Sequence, residues 1–244
     1  MSGAGVVAAL ELEARTLGVL TRRADGLSSI GDGTLIAVSG IGTVAAASAA
    51  RALVEAGATA LVSWGLAGGL DPALPAGTIC IPHVVIASDG PTFTTDPDWR
   101  ELLGAAIGAR YRVVEGSLLT SPKAIADAAA KAAAFRDTGA AAVDMESSGI
   151  AEIAVARRLP FVAIRAIVDA AGDSLPGAVV AASRGGPLRI SQLLLELARA
   201  PADIGRVIRL SARYRAASRA LKAVADTGAL APLAFATTSK TRIA

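Results

Sequence analysis

The 244-residue sequence predicts an α/β fold, on three observations. Short apolar runs bounded by Gly, Pro or Asp alternate with stretches of helical periodicity. Hydrophobic residues make up 53% of the chain and charged ones 18%, which is ample for a core and excludes disordered or fibrous classes. The length matches one large domain with an appendage at about 100–200 residues per domain. The expected division is an α/β domain over 1–200 and a basic helical extension and tail over 201–244. Only 3% of residues are aromatic, so Ala, Val, Leu and Ile must fill the core. That favours closely packed helices over a sheet whose strands are apolar on both faces.

The elements follow in order. Residues 6–10 form the first apolar run and 13–21 the first helical pattern. A strand at 34–38 leads through Ser39-Gly40-Ile41-Gly42 into a helix at 43–56. The run 59–64 leads into Gly65-Leu66-Ala67-Gly68-Gly69, read as a turn. Further strands are expected at 78–86, 112–119, 141–144 and 161–168, and further helices at 98–109, 122–134, 145–158 and 188–200. Pro201 can open a last helix. In it Val207, Leu210, Tyr214, Ala217, Leu221 and Val224 recur at steps of three and four and share one face. Beyond Gly228 the pattern fades, and 237–244 reads as a loose tail.

Composition removes several chemistries. The one cysteine, Cys80, excludes an intrachain disulfide and a cysteine-cluster metal site. The one histidine, His83, removes most His-ligated zinc sites and nearly every Ser/His or Cys/His scheme. No metal or resident cofactor is expected. The first ten residues lack a basic region, and Glu11 and Glu13 interrupt the apolar run, so a cytoplasmic protein is expected. Residues 35–50 fall short of the roughly 18 apolar residues of a membrane span. The net charge is +3, yet from Ser183 onward eleven basic residues face three acidic ones, leaving that tail at +8 and the rest at −5. Such a helix can touch an anionic membrane peripherally, or lay its apolar face on the main domain or a second subunit. Nucleic acid is not an expected partner, because Tyr214 and Phe235 are the only stacking residues there.

Two glycine-rich segments, 39–42 and 65–69, follow strands, where open α/β sheets gather ligands and a backbone can approach one closely. Neither matches a dinucleotide or P-loop fingerprint. Three carboxylates follow apolar runs: Glu13, Glu146 and Asp169. The strand 161–168 carries one charge, Arg165, and delivers Asp169 at its end. An acid there is partly desolvated and suited to donate a proton near neutrality. Arg165 is expected to be buried and paired with one of these acids. Structural alternatives are a helix N-cap for Asp169 and first-turn dipole partners for Glu13 and Glu146.

Four patches together resemble the nucleoside phosphorylase/nucleosidase family that includes the methylthioadenosine/S-adenosylhomocysteine nucleosidases. They are Ala9-Leu10-Glu11-Leu12-Glu13, the segment from Ser39 to Ala46, the segment from Gly65 to Leu70 with Ala76-Gly77, and the pair Val143-Asp144-Met145-Glu146 and Arg165-Ala166-Ile167-Val168-Asp169. The resemblance covers residues 5–195. It implies a single-domain nucleoside phosphorylase-like fold, a central mixed sheet flanked by helices, and a homo-oligomer. Residues 65–72 and the basic extension look most similar to the hopanoid-associated branch, thought to release adenine from adenosylhopane. By position, Asp169 matches the acid that protonates purine N7. Glu146 matches the residue holding the ribose hydroxyls, with Met145 packed on the sugar, and Glu13 the carboxylate that activates water. Leu66, Ala67, Gly68 and Val168 match the ribose and base contacts, and Gly40, Ile41 and Gly42 a turn on the nucleophile side. Leu66 and Val168 stand where the family has serines. Residues 120–124 lack the family's aromatic, which leaves Phe93, Trp64 or a partner subunit to stack on the base. Of arginines for a phosphate co-substrate, only Arg22 and Arg23 lie near an early loop. Hydrolysis of a 5′-substituted adenosine, adenosylhopane among the candidates, with release of adenine is therefore expected; the alternatives are a phosphate-dependent purine nucleoside phosphorylase, a methylthioadenosine/S-adenosylhomocysteine nucleosidase and a non-catalytic nucleoside-binding protein.

Overall fold

The protein is described here from a computed structural model, covering residues 3–31, 33–175, 177, 199 and 203–230. The expected helix at 188–200 (residue 199 apart), the tail at 237–244 and the domain boundary after residue 200 lie outside these residues.

The chain enters as β1 (Ala4–Ala8), followed by one helical turn, α1 (Glu11–Ala14), that tightens to 3-10 geometry at Arg15–Leu17. The helix expected to continue to residue 21 stops because Gly18 adopts φ +130°, and the chain enters β2 (Thr21–Arg22). β3 (Ser28–Ser29), β4 (Leu35–Val38) and α2 (Thr43–Glu55) follow. β5 (Ala60–Gly69) does not end at residue 64; the segment read as a turn is its second half. Pro82 lies in the break that divides the run 78–86 into β6 (Ile79–Cys80) and β7 (Val84–Ala87), since proline offers no N–H to a ladder. β8 (Thr92–Thr94) folds back on β7 as a hairpin.

α3 (Pro97–Ile107) is capped by Asp96, whose carboxylate accepts from the Trp99 N–H at 2.9 Å. The run 112–119 divides into β9 (Val113–Val114), which pairs with β6, and β10 (Ser117–Thr120), which pairs with β7 and with β11 (Ala140–Asp144). Between β10 and β11, α4 (Ala128–Thr138) starts later than the expected 122, because its cap is Asp127, accepting from the Ala130 N–H at 2.8 Å. α5 (Ser147–Arg157), β12 (Phe161–Asp169) and α6 (Ile204–Ala225) complete the order.

The strands form one mixed sheet in the order β2-β3-β4-β1-β5-β11-β10-β7-β8, with β12 on β5 and β6 on β12. β5 is the hub. Its residues 60–64 run parallel to β1 and 61–67 parallel to β12, while Gly68 and Gly69 lie antiparallel to β11. The C-terminal ends of β1, β11 and β12 therefore meet along the second half of β5, which is where a sheet of this kind opens a crevice.

Alternation along the strands builds a core on each face. Val6, Val62, Trp64, Val162 and Ile164 pack with α3 and α6, whereas Val7, Leu61, Ala163 and Ile167 pack with α2 and α5. The sheet is thus apolar on both faces, contrary to the expectation drawn from the scarcity of aromatics. Small side chains make this possible: a Cβ placed on Gly5 of β1 would stand 2.9 Å from that of Ala58, so the backbones need glycine to come so close. α6 sends Ala217, Ala220, Leu221 and Val224 into the same core as β12. Among the described residues no helix is long and apolar enough to cross a membrane.

Candidate active site

Between β1 and α1 the chain turns within two residues and brings Glu13 back over β5. Glu13 is 5% exposed. Its Oε2 accepts from the Leu10 N–H at 3.0 Å and its Oε1 from the Leu66 N–H at 2.9 Å. Gly65 makes this possible: a Cβ there would collide with Arg165 Nη1 and stand 2.6 Å from Glu13 Oε1. Trp64 Nε1 donates to Thr16 Oγ1 at 2.8 Å and to the Glu13 carbonyl at 3.3 Å, which pins the turn from beneath.

Arg165 faces Gly65 across the β5–β12 ladder and is 1% exposed. Its close partner is not one of the three expected acids but Asp144, at 2.6 Å, with Glu146 further off at 3.9 Å. The reason is register. β12 places Arg165 on the α5 side of the sheet, where Nη2 also donates to Ser63 Oγ at 2.6 Å and Ser147 Oγ at 3.2 Å. Asp144 closes the start of α5 from the same side, accepting from the Ser147 N–H at 3.2 Å and from Thr120 Oγ1 at 2.9 Å. Burial opposes the Arg165 charge, but Asp144, Glu146 and Glu13 together hold its pKa above the ordinary arginine value.

Glu146 sits at the N-cap of α5. Its Oε1 accepts from the Gly42 N–H at 3.0 Å, and its Oε2 from the Met145 N–H at 3.3 Å. The turn 39–42 therefore acts as a holder for a carboxylate 104 residues away. Burial, then the charge of Asp144, pushes the Glu146 pKa up to about 7 against the pull of Arg165. Burial likewise raises Glu13, outweighing Arg165 and the amide donors.

At the end of β12 the register slips between Ile167 and Asp169, which sets Asp169 opposite Gly68. Asp169 is not a helix N-cap. Its Oδ2 accepts a hydrogen bond from Lys131 Nζ, which also donates to the Ala170 carbonyl at 3.0 Å. Burial is the largest influence on Asp169 and raises its pKa, with Lys131 opposing.

Glu13, Glu146 and Asp169 line one open cavity of ≈ 200 Å³. Met145, Leu66, Ala67, Gly68 and Val168 line it too, as does Ile41. Gly42 contributes through its amide, and Gly40 is not among the lining residues. Lys123, Ala124 and Ile125 reach in from the loop before α4. Trp64 is wholly within the core and Phe93 lines a separate groove beside α2 and α5, so neither faces this cavity as a base-stacking residue. Arg22 and Arg23 are spent on exposed pairs with Glu11 and Asp25, each at 2.9 Å. His83 sits in the break between β6 and β7, its Nδ1 2.6 Å from the Glu115 carbonyl oxygen, and the buried Cys80 thiol is pushed up to about 12.

Sequence reasoning missed Asp144 and Lys131. Asp144 carries the same signal as Asp169, a carboxylate ending an apolar strand. The signal at Lys131 is fainter, a lone lysine inside an alanine run.

The chain matches the family described as the phosphorylase superfamily over residues 28–198. It is 30% identical to a 5′-methylthioadenosine/S-adenosylhomocysteine nucleosidase of Treponema pallidum, across 54% of this chain and 65% of that protein, somewhat under two thirds of the relative's length. Among solved structures it resembles the Neisseria meningitidis 5′-methylthioadenosine/S-adenosylhomocysteine nucleosidase in complex with methylthio-immucillin-A, with a TM-score of 0.67, 22% identity, and coverage of 92% of this chain and 97% of that one. It also resembles the futalosine hydrolase of Helicobacter pylori, with a TM-score of 0.66, 16% identity, and coverage of 91% and 97%. At such identities the two structures speak for the fold. With the family match spanning most of the sequence and the mixed sheet in agreement, the chain belongs to the phosphorylase superfamily.

Proposed function

We propose that the protein hydrolyses the N-glycosidic bond of a 5′-substituted adenosine and releases adenine. One observation carries the reading: acids from the ends of β1, β11 and β12 line a single cavity beside an apolar sugar-sized wall that includes Met145, Leu66 and Val168. Breaking a C–N glycosidic bond generates an oxocarbenium-like sugar and an anionic purine, so it needs one protonated acid and ionised carboxylates near the cation. Asp169, raised by burial, donates its proton to purine N7 as the C1′–N9 electron pair moves onto the base. Glu146, ionised, accepts from the ribose hydroxyls and stabilises the positive sugar. A water adds to C1′ and gives its proton to Glu13. Met145 packs on the ribose.

Water is favoured over phosphate because Lys123 is the one basic side chain lining the cavity among the described residues, and Arg22 and Arg23 are engaged elsewhere. The Treponema pallidum relative and the Neisseria meningitidis structure, both 5′-methylthioadenosine/S-adenosylhomocysteine nucleosidases, favour a thioether at the 5′ position. The adenosylhopane reading rests on residues 65–72 and the basic extension alone. A homo-oligomer, and peripheral contact of α6 with an anionic membrane through Arg206, Arg209 and the exposed Ile204 and Ile208, belong to the same proposal.

The test is adenine release from methylthioadenosine, S-adenosylhomocysteine, adenosine and an adenosyl lipid, with and without phosphate. Release that is independent of phosphate and fastest with a thioether is expected; a requirement for phosphate would make the protein a phosphorylase. Binding without release would leave a nucleoside-binding protein. Asp169→Asn should lower kcat about 10²- to 10⁴-fold, the range for loss of a general acid. Glu13→Gln should abolish most hydrolysis while leaving ligand binding measurable by calorimetry. Full activity in either variant would remove that residue from the mechanism.

A further inference from the structure

We propose that Lys131 is a positioning residue acting through Asp169, fixing which carboxyl oxygen carries the proton and stabilising the anion left after its transfer. This rests on Asp169 being the proton donor. α4 reads AAAKAAAFRDT, and its one buried residue is the lysine rather than an alanine or Phe135. Lysine is almost never fully buried unless it is paired, and Lys131 is 0% exposed. Its ammonium makes two contacts, Asp169 Oδ2 and the Ala170 carbonyl, so it grips both the acid and the backbone beside it. Ala134 and Phe135 of α4 are only partly buried, against the cluster of Leu70, Leu119, Ala140 and Val143, so Lys131 is the one side chain that the helix buries completely, and it does so at the end of β12.

Two consequences follow for the acid. With Oδ2 engaged by Lys131, Oδ1 is the oxygen left to hold the proton that passes to the purine. When that proton leaves, the new carboxylate faces an ammonium already in place. Lys131 exchanges nothing with the substrate. The other charges near Asp169 come from the shared cavity, where Glu13, Glu146 and Lys123 also stand, from the segment after β12 and from α6. Asp173 is paired with Arg213 at 2.5 Å, and the two act on Asp169 in opposite directions. Arg206 and Arg209 line an adjoining pocket with Asp169. Lys131 is the charge in direct contact.

The experiment is the pH profile of kcat/KM and kcat for methylthioadenosine hydrolysis by full-length wild type, Lys131→Met and Lys131→Arg. An opposite charge at contact lowers a carboxyl pKa by about 1–3 units. Lys131→Met should therefore move the alkaline limb about one unit or more to higher pH and lower kcat about tenfold or more, with KM little changed. Lys131→Arg should return the limb towards wild type. In an Asp169→Asn background, Lys131→Met should lower the residual rate no further. An unmoved limb in Lys131→Met, or the same fold loss in the wild-type and Asp169→Asn backgrounds, would overturn the proposal. Should Lys131→Met fail to fold, Lys131→Arg, alone and combined with Asp169→Asn, decides: a Lys131→Arg enzyme whose limb departs from wild type as far as the activity falls, or an additive double variant, refutes it. Wild type that releases no adenine would instead sink the underlying assignment.

Discussion

At Glu146 the burial that readies the pocket also works against the fold. Its carboxyl is raised from 4.5 to about 7, with burial as the first cause and the Asp144 charge as the second. The folded protein thus holds this proton more tightly than the unfolded chain does. The associated stability is full below the unfolded value of 4.5 and is lost as pH rises through about 7, a change of up to about 3 kcal/mol. Glu146→Gln removes the titration and can keep the Gly42 hydrogen bond. It is expected to melt higher than wild type at pH 8, with the gap shrinking towards pH 5, and to release no adenine. Thermal melts at the two pH values check this; a gap independent of pH would contradict it. For activity the sign is opposite: kcat/KM should rise through about pH 7 as Glu146 ionises and fall when Asp169 loses its proton. Glu13, Glu146 and Asp169 were legible in the sequence because each follows an apolar run. Lys131 was not, because a lysine in an alanine helix carries no local mark to separate a solvated position from a buried one.

Among the elements, β5 shows where local pattern misleads. Its glycines look like a turn because turns need glycine, yet here Gly65 serves close approach of two charged side chains over a continuing strand. Gly65→Ala should cost about 1–3 kcal/mol by overpacking and displace Glu13 or Arg165. Urea denaturation and the adenine assay test it, and an alanine variant of wild-type stability and activity would refute the role. The split strands at 78–86 and 112–119 show the reverse error: apolar composition is continuous there, but pairing changes partner, from β12 to β10 in the first and from β6 to β7 in the second. Helix starts at Asp96 and Asp127 follow ordinary capping chemistry, and only the second was displaced from its expected position.

For the whole molecule, α6 is part of the core rather than a solvated tail over its second half. Leu221 is fully buried with Val224 against the face carrying Val62 and Ile164. Leu221→Ala should cost about 2–5 kcal/mol by chemical denaturation; a change within about 0.5 kcal/mol would mean that the helix behaves as an independent surface element. Periodicity, capping residues and acids placed after strands are local properties, so the sequence by itself determined the α/β class, most element positions and the three carboxylates. Which charges meet was decided only by the tertiary structure. Arg165 chose Asp144, Asp169 received Lys131, and Glu146 found the Gly42 amide, because strand register and the crossing of β5 between its neighbours join segments that no short-range pattern connects.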